Sequence, residues 1–449
     1  MSVASKGNSI KNRADPVFLS RSEHSVSRKN ISPNALKVLY RLDSAGFQAC
    51  LVGGGVRDLI LGREPKDFDI ATDASPEQVR DLFRNCRLIG RRFRLAHVIY
   101  GREVIEVATF RAPHDDSNNN EDEQKMEAGR ILRDNVYGSI DDDVWRRDFT
   151  INALYYDIKD YSIIDYVGGM QDIKDGLLRL IGDTEERYRE DAVRMLRAIR
   201  FAAKLGFRID PESERAIPQM GALLREIPSA RIFEEVLKLF MSGAALETFE
   251  LLRHYDLFKY LFPMTDESLA LEVEHFPDRM LIQALKNTDS RIQQGKPVTP
   301  AFLYAALLWH PMQIRMQEVM TRDTGDEVVS STRVMQIASS EIVREQVRVT
   351  SLPKRFSLPM REIWSLQHRF EQRAGKRPLR LLTHPRFRAA YDFLLLREVA
   401  GEVDKSLCDW WTEIQTLDKN DRESFIQQVQ QPQVNSKKRR RRRKKAQSA

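Results

Sequence analysis

The chain has 449 residues, 42% of them hydrophobic, enough apolar material for two or three domains with cores of their own. Its formal net charge of +7 is misleading, because Lys437–Lys445 alone carries nine cations and everything outside that run sums to −2. No run of about 18 apolar residues suits a membrane span, no apolar leader core follows Met1, and Cys50, Cys86 and Cys408 are too scattered for a disulfide framework or zinc site. The expectation is a cytoplasmic, non-membrane protein whose basic tail meets polyanions.

In chain order, residues 1–32 are rich in Ser and Asn and poor in aromatics, the composition of a disordered segment. Ser32-Pro-Asn-Ala opens a helical pattern through Leu36, Val38, Leu39 and Leu42. Gln48–Val52 reads as a buried strand running into a glycine turn, Gly53-Gly-Gly-Val-Arg-Asp58. A short helix over Val56–Leu61 is stopped by Gly62. Next comes a strand carrying Asp67 and Asp69 and ending near Thr72. Residues two apart on a strand share a face, so the two carboxylates converge while Phe68 turns into apolar packing. Two hard oxygen ligands suit Mg²⁺, which takes a few carboxylates together with substrate phosphates. The glycines upstream let backbone N–H groups approach an anion closely. Together these features imply chemistry on a nucleoside triphosphate. The turn is not G-x-G-x-x-G, because Asp58 stands at the third glycine, and no G-x-x-x-x-G-K-[ST] occurs, so Rossmann and P-loop readings both fail.

Ser75-Pro-Glu-Gln78 has the form of a capping box with Pro at the first helical position. Strands are predicted at Cys86–Gly90, Ala96–Tyr100 and Glu103–Arg111, and again at Ala153–Ile158 and Ser162–Val167, around a polar insertion at 112–130. Beyond Thr184 the period becomes helical, beginning with Val193, Leu196, Ile199, Phe201 and Leu205, and stays so to about residue 420. The fold class is therefore α+β. A mixed-sheet head (33–183) precedes a helical neck (184–250), a helical body and C-terminal region (251–425), and a disordered basic tail (426–449).

Four motifs occur in order: Leu51-Val-Gly-Gly-Gly-Val-Arg-Asp58, the Asp67/Asp69 pair, Arg146-Arg-Asp-Phe-Thr-Ile-Asn152, and Glu190-Asp-Ala-Val-Arg-Met-Leu-Arg-Ala-Ile-Arg-Phe201. Together they resemble the class II nucleotidyltransferases of the polymerase-beta superfamily, the group of bacterial poly(A) polymerases and tRNA CCA-adding enzymes. The resemblance implies that Gly54 and Arg57 hold the triphosphate and that Asp67 and Asp69 are catalytic and ligate Mg²⁺. It also implies Asp148 as a third catalytic acid, with Arg147 beside it on the nucleotide. Glu106 competes for that third role, since a carboxylate between Ile105 and Val107 is costly to bury unless paired or metal-bound; Asp148 is favoured. Glu190, Asp191 and Arg194 would read the base, Glu190 and Arg194 sharing a helix face at i, i+4, and Arg197 would reach phosphate. A good bidentate base contact gives ~1–3 kcal/mol of discrimination. Ala192 stands where the family carries Pro, a departure that affects the helix start and removes no reading group.

Leu88–Val98, with three arginines around Phe93, resembles the element that marks bacterial poly(A) polymerases, and Gly375–Tyr391 resembles their C-terminal region. Phe387 and Tyr391 there either stack bases or pack in a core. His114-Asp115 lacks partner histidines, so no metal phosphohydrolase is read, and His97 is a packed strand residue. The implied activity is Mg²⁺-dependent, template-independent transfer of AMP from ATP to RNA 3′ ends in RNA processing and decay. The implied partners are RNA 3′ ends, ATP and RNA-decay proteins. The alternative is CCA addition to tRNA.

Overall fold

The computed structural model describes residues 15–90, 94–112, 126–127, 130–131, 137–271, 277–322 and 330–430. Arg91-Arg92-Phe93, His114-Asp115 and the Lys437–Lys445 tail lie outside the described residues, whereas Arg94 is described and pairs with Glu77 at 2.5 Å. The chain divides into two units, Met1–Met220 and Gly221–Ala449.

The first unit is organised by β1 (Val17–Leu19), α1 (Pro33–Ser44), β2 (Ala49–Val52), α2 (Gly54–Ile60), β3 (Asp69–Thr72), α3 (Pro76–Leu82), β4 (Cys86–Ile89), β5 (Leu95–Tyr100) and β6 (Glu103–Thr109). The short antiparallel pair β7 (Met126–Glu127) and β8 (Arg130–Ile131) comes next, then α4 (Ile140–Arg146), β9 (Leu154–Asp157), β10 (Ile163–Asp165), α5 (Gly169–Asp175) and β11 (Leu177–Leu178). Eight strands form one sheet in the order β1-β10-β9-β2-β3-β6-β5-β4. Every pairing is antiparallel except β3 with β6, which is parallel and sets Asp69 opposite Glu106. The apolar runs explain why the central strands are buried: Cys50, Val52, Ala71, Phe110, Ala153, Tyr155 and Ile164 share one core cluster. α1 is capped by the Ser32 side chain and buries Ala35, Val38, Leu39 and Leu42. The expected capping box on α3 is present with both of its hydrogen bonds.

Three boundaries differ from expectation. The predicted disordered tail does not begin at 426, since a helix runs over Lys419–Gln430 and Ile426 is a core residue at 3% exposure. The two others lie at the head. Residues 15–32 are part of the sheet unit rather than a disordered segment. Val17–Leu19 adds an edge strand to β10, and Val26 and Ile31 are buried at 0% and 3% exposure. A few apolar anchors suffice when a sheet edge supplies the backbone partners, which composition averaged over 32 residues does not register. The neck also divides: α6 (Thr184–Glu190), α7 (Val193–Leu205) and α8 (Pro211–Met220) belong with the head. They are tied there by β12 (Arg208–Ile209), parallel to β11, and by Arg187, whose Nη2 donates to the carbonyls of Arg146 and Arg147 at 3.1 and 2.6 Å.

In the second unit the described elements are helical: α9 (Ser229–Phe240), α10 (Ala245–His254), α11 (Phe258–Leu261), α12 (Pro263–Leu269), α13 (Pro277–Gln293), α14 (Pro300–Leu307) and α15 (Trp309–Arg322). These are followed by α16 (Ser331–Val349), α17 (Lys354–Gln367), α18 (Arg377–Leu382), α19 (Phe387–Val399), α20 (Lys405–Thr416) and α21 (Lys419–Gln430). Phe387 and Tyr391, one of whose two readings was base stacking, are core residues at 7% and 5% exposure. They pack in a cluster with Phe370, Trp410 and Trp411, and the Tyr391 hydroxyl lies 2.6 Å from that of Thr412. Among the described residues no helix is long and apolar enough to cross a membrane.

Candidate active site

The site is built where β2 ends. Gly53 follows Val52 at φ +70° and ψ −138°, a conformation open essentially to glycine, and α2 starts at the next residue. The missing side chains also allow close approach. A Cβ on Gly53 would sit 3.5 Å from Arg147 Nη1, and one on Gly55 3.3 Å from the Asp67 carbonyl. The glycine turn therefore brings Arg147 and the acidic segment together.

Only Asp69 of the acidic pair lies in β3; Asp67 precedes the strand and is exposed. The reason is register. Val52 is the last β2 residue paired with β3 and faces Asp69, so once the chain enters the glycine turn Asp67 has no strand partner. Phe68 is half-buried, bordering a surface pocket with Leu59 and Pro65, and does not join the core as expected. Burial, with the nearby carboxylates of Glu106 and Asp67, pushes the Asp69 carboxyl up to about 6, and Arg147 only partly opposes this. Neither the Asp67 nor the Asp69 carboxylate has a hydrogen bond or ion pair among the described residues. Crowded, unpaired carboxylates of this kind call for a cation. Among the described residues no group of three or more Asp, Glu, His or Cys could hold a metal unaided. Two carboxylates completed by phosphate oxygens and water nevertheless meet the preference of Mg²⁺.

The two candidates for the third acid sit in different surroundings. Glu106 lies across from Asp69, half exposed, with His97 Nε2 3.5 Å from its carboxylate. Half-buried His97 faces Glu106 in the sheet as well, on β5. Asp148 instead accepts from Arg197 through Nε at 2.6 Å and Nη2 at 2.5 Å, and from the Phe149 N–H at 2.9 Å. Burial alone would raise its pKa, but Arg197 and these hydrogen bonds hold it below the ordinary value.

The arginines are equally well held. Arg57 is 3% exposed, paired with Asp58 at 2.7 Å and donating to Asn152 Oδ1 at 2.6 Å, with its guanidinium 5.2 Å from the Phe201 ring. It buttresses the turn from beneath, 3.5 Å from where a Gly54 Cβ would stand. Arg147 donates to Asp143 at 2.9 Å, to the Tyr155 hydroxyl at 2.7 Å and to the Asn152 carbonyl at 3.2 Å. Burial works against its charge, yet Tyr155 and Asp143 keep it protonated more firmly than an ordinary arginine. Asn152 links the two arginine clusters, since its Nδ2 also reaches Asp148 at 3.4 Å.

At the base-reading end, Glu190 and Arg194 do not share one helix as expected. α6 ends at Glu190, Asp191 is extended at φ −152°, and α7 begins at Val193. They still meet at 2.8 Å, because the Arg194 Nη1 is anchored on both Glu190 and the carbonyl of Arg187 at 2.6 Å. Arg187 holds the same Glu190 oxygen at 2.6 Å. Burial raises Glu190, but the two arginines outweigh it and lower its pKa. Asp191 turns inward locally, accepting from the Val193 N–H at 3.2 Å. Ala192 has φ −62°, the value proline imposes, so its substitution leaves the break intact.

Sequence reasoning missed Asp143, Tyr155, Asn152 and Arg187. The Asp143–Arg147 spacing of i, i+4 was a usable signal. Tyr155 carried none, since it reads as an ordinary strand aromatic.

Three family descriptions match: "Poly A polymerase head domain" over residues 49–179, "Probable RNA and SrmB- binding site of polymerase A" over 206–269, and "Polymerase A arginine-rich C-terminus" over 328–445. Poly(A) polymerase I of Escherichia coli O6:H1 is 49% identical over 423 residues, 93% of this chain and 90% of that protein. The CCA-adding enzyme of Lactobacillus helveticus is 38% identical over only 217 residues, 48% of this chain and 52% of that protein. The solved CCA-adding enzyme of Bacillus stearothermophilus in complex with CTP superposes with a TM-score of 0.54 at 25% identity, covering 90% of this chain and 89% of that one. The fold is thus shared with the CCA-adding enzymes, but similarity to a poly(A) polymerase continues through the helical half, and the chain belongs to the bacterial poly(A) polymerases, class II nucleotidyltransferases of the polymerase-beta superfamily.

Proposed function

We propose that the chain is a template-independent poly(A) polymerase, transferring AMP from ATP to RNA 3′ ends with release of pyrophosphate. The observation that carries this choice is the span of similarity: it runs across nine-tenths of the E. coli poly(A) polymerase and only half of the L. helveticus CCA-adding enzyme. The RNA 3′-hydroxyl attacks the α-phosphorus of ATP in line, and the enzyme's contribution is positioning and electrostatics.

Asp67 and Asp69 are the residues that would hold Mg²⁺, and Glu106, across the sheet from Asp69, is the third carboxylate this reading assigns in preference to Asp148. Bound there, Mg²⁺ would neutralise charge on the triphosphate and on the oxygens that attack and leave. Arg147, fixed by Asp143 and Tyr155 next to the Gly53 turn, supplies a cation to the triphosphate, and Gly54 leaves the backbone open to it. Arg57 acts by bracing that turn. Asp148 acts by holding Arg197 in place. Glu190, Asp191 and Arg194 face the base, and the shared anchoring of Arg194 on Glu190 and the Arg187 carbonyl keeps its donor fork in one orientation suited to one base. This reading also includes mRNA polyadenylation and decay in the cytoplasm, in company with RNA-decay proteins. The test is incubation with labelled ATP or CTP and a non-tRNA oligonucleotide. Long A-tails are expected, and CTP incorporation restricted to tRNA would overturn the assignment.

A further inference from the structure

The second unit carries a pocket of about 490 Å³ between α13, the 294–299 loop, the start of α14 and α19. That volume falls within the roughly 300–1,000 Å³ of small-ligand sites. Its floor is apolar, with Met241, Leu303 and Leu395 around Phe302, a half-buried ring set edge-on to Phe393 at 6.1 Å. Arg291, Lys296, Arg386 and Arg388 form its rim. Two of these charges are answered: Arg386 by Glu362 at 3.0 Å and Arg388 by Asp392 at 3.0 Å. The other two are not. Arg291 spends Nε and Nη2 on the Pro297 carbonyl at 3.2 and 3.0 Å, and Lys296 meets only the Gln294 amide oxygen at 2.6 Å. Neither has a carboxylate partner among the described residues.

Uncompensated cations above a partly exposed aromatic floor match a ligand that has a flat face and an anionic edge. A nucleotide has that form, and every base can stack, so such a site is tolerant of sequence. Phe387 and Tyr391 are sealed in the core, whereas Phe302 is half-buried and lines this pocket together with Arg291 and Lys296. We propose that this pocket is a subsite for one nucleotide of the single-stranded RNA behind its 3′ end, the base against Phe302 and the phosphate on Arg291 and Lys296. The inference rests on the chain acting on RNA, but its test does not depend on catalysis.

Binding of fluorescent 15-nucleotide oligo(A) to the full chain is measured in EDTA across a salt series. For Arg291→Gln/Lys296→Gln, affinity should fall about 5- to 20-fold, and the slope of log affinity against log salt should flatten by about 0.7, the value for one neutralised single-strand phosphate. Phe302→Leu keeps the apolar floor, so it should weaken binding several-fold without changing that slope. In turnover assays both variants should raise KM for RNA while leaving kcat and KM for ATP unchanged. Oligo(A) carrying a photoreactive adenine should crosslink to the peptide containing Phe302. Unchanged affinity and slope, crosslinks confined to other peptides, or competition by millimolar ATP alone, which would mark the pocket as a free-nucleotide site, would each overturn the proposal. Should the chain fail to extend RNA at all while these binding results hold, the polymerase assignment falls and the subsite stands.

Discussion

Asp69 is held in the fold at a cost. Its carboxyl titrates near 6 instead of 3.8 because burial, Glu106 and Asp67 all disfavour the charge. The folded protein therefore binds that proton more tightly than the unfolded chain does. Stability falls as pH rises from about 4 to 6, and the penalty is complete above that window. Asp69→Asn should accordingly abolish AMP incorporation, yet make the metal-free protein more stable at pH 8 by on the order of 2 kcal/mol. At pH 4 the two proteins should melt alike. Thermal unfolding in EDTA at both pH values checks this, and an equal or lower melting temperature for the variant at pH 8 would contradict it. The third acid can be separated in the same way. Glu106→Gln should weaken Mg²⁺ affinity, raising the metal concentration for half activity about tenfold with little loss of stability. Asp148→Asn leaves Arg197 facing a neutral amide and should cost about 3 kcal/mol, the range for breaking a buried pair. Metal titrations and urea unfolding of both variants distinguish the two roles.

At the scale of elements, the proposed base reading turns on the junction between α6 and α7. The chain breaks at Asp191, so Glu190 and Arg194 meet by bridging the gap, and Arg187 completes the clasp while fastening α6 to the carbonyls after α4. Glu190→Gln removes the charge shared by both arginines and frees the Arg194 fork to rotate. Discrimination of ATP against CTP should drop about tenfold, corresponding to one charge-assisted hydrogen bond of roughly 1.5 kcal/mol. The readout is kcat/KM with each nucleotide on one primer. If selectivity is unchanged and only stability drops, the clasp is structural.

For the whole molecule, charge is divided between a near-neutral body and a cationic tail, as the residue counts already require. Removing Lys437–Lys445 should lower the salt dependence of RNA binding by up to ~6 in slope if every cation meets a phosphate. Turnover at saturating RNA and the KM for ATP should stay put. An unchanged slope would show that the tail does not meet RNA.

The i+2 strand reading of the acidic pair failed because β3 begins only at Asp69, and the i+4 helix reading of Glu190 and Arg194 failed because the helix breaks at Asp191. The glycine turn was legible because it depends on a positive φ within a few residues. The capping box at Ser75 was readable for the same reason. What lay beyond reach was everything set by pairing between distant segments. The β3–β6 register, from residues 37 positions apart, puts Glu106 across from Asp69, and no local pattern contains that fact. Asn152 joins Arg57 to Asp148, β1 claims a segment whose composition suggested disorder, and the core takes Phe387 and Tyr391 away from RNA. Sequence by itself determined the chemistry available and the order of the parts, since local sterics and side-chain type act at short range. Tertiary structure alone decided which carboxylates crowd together and which are neutralised by arginine, because burial and Coulomb interactions depend on separations that folding creates.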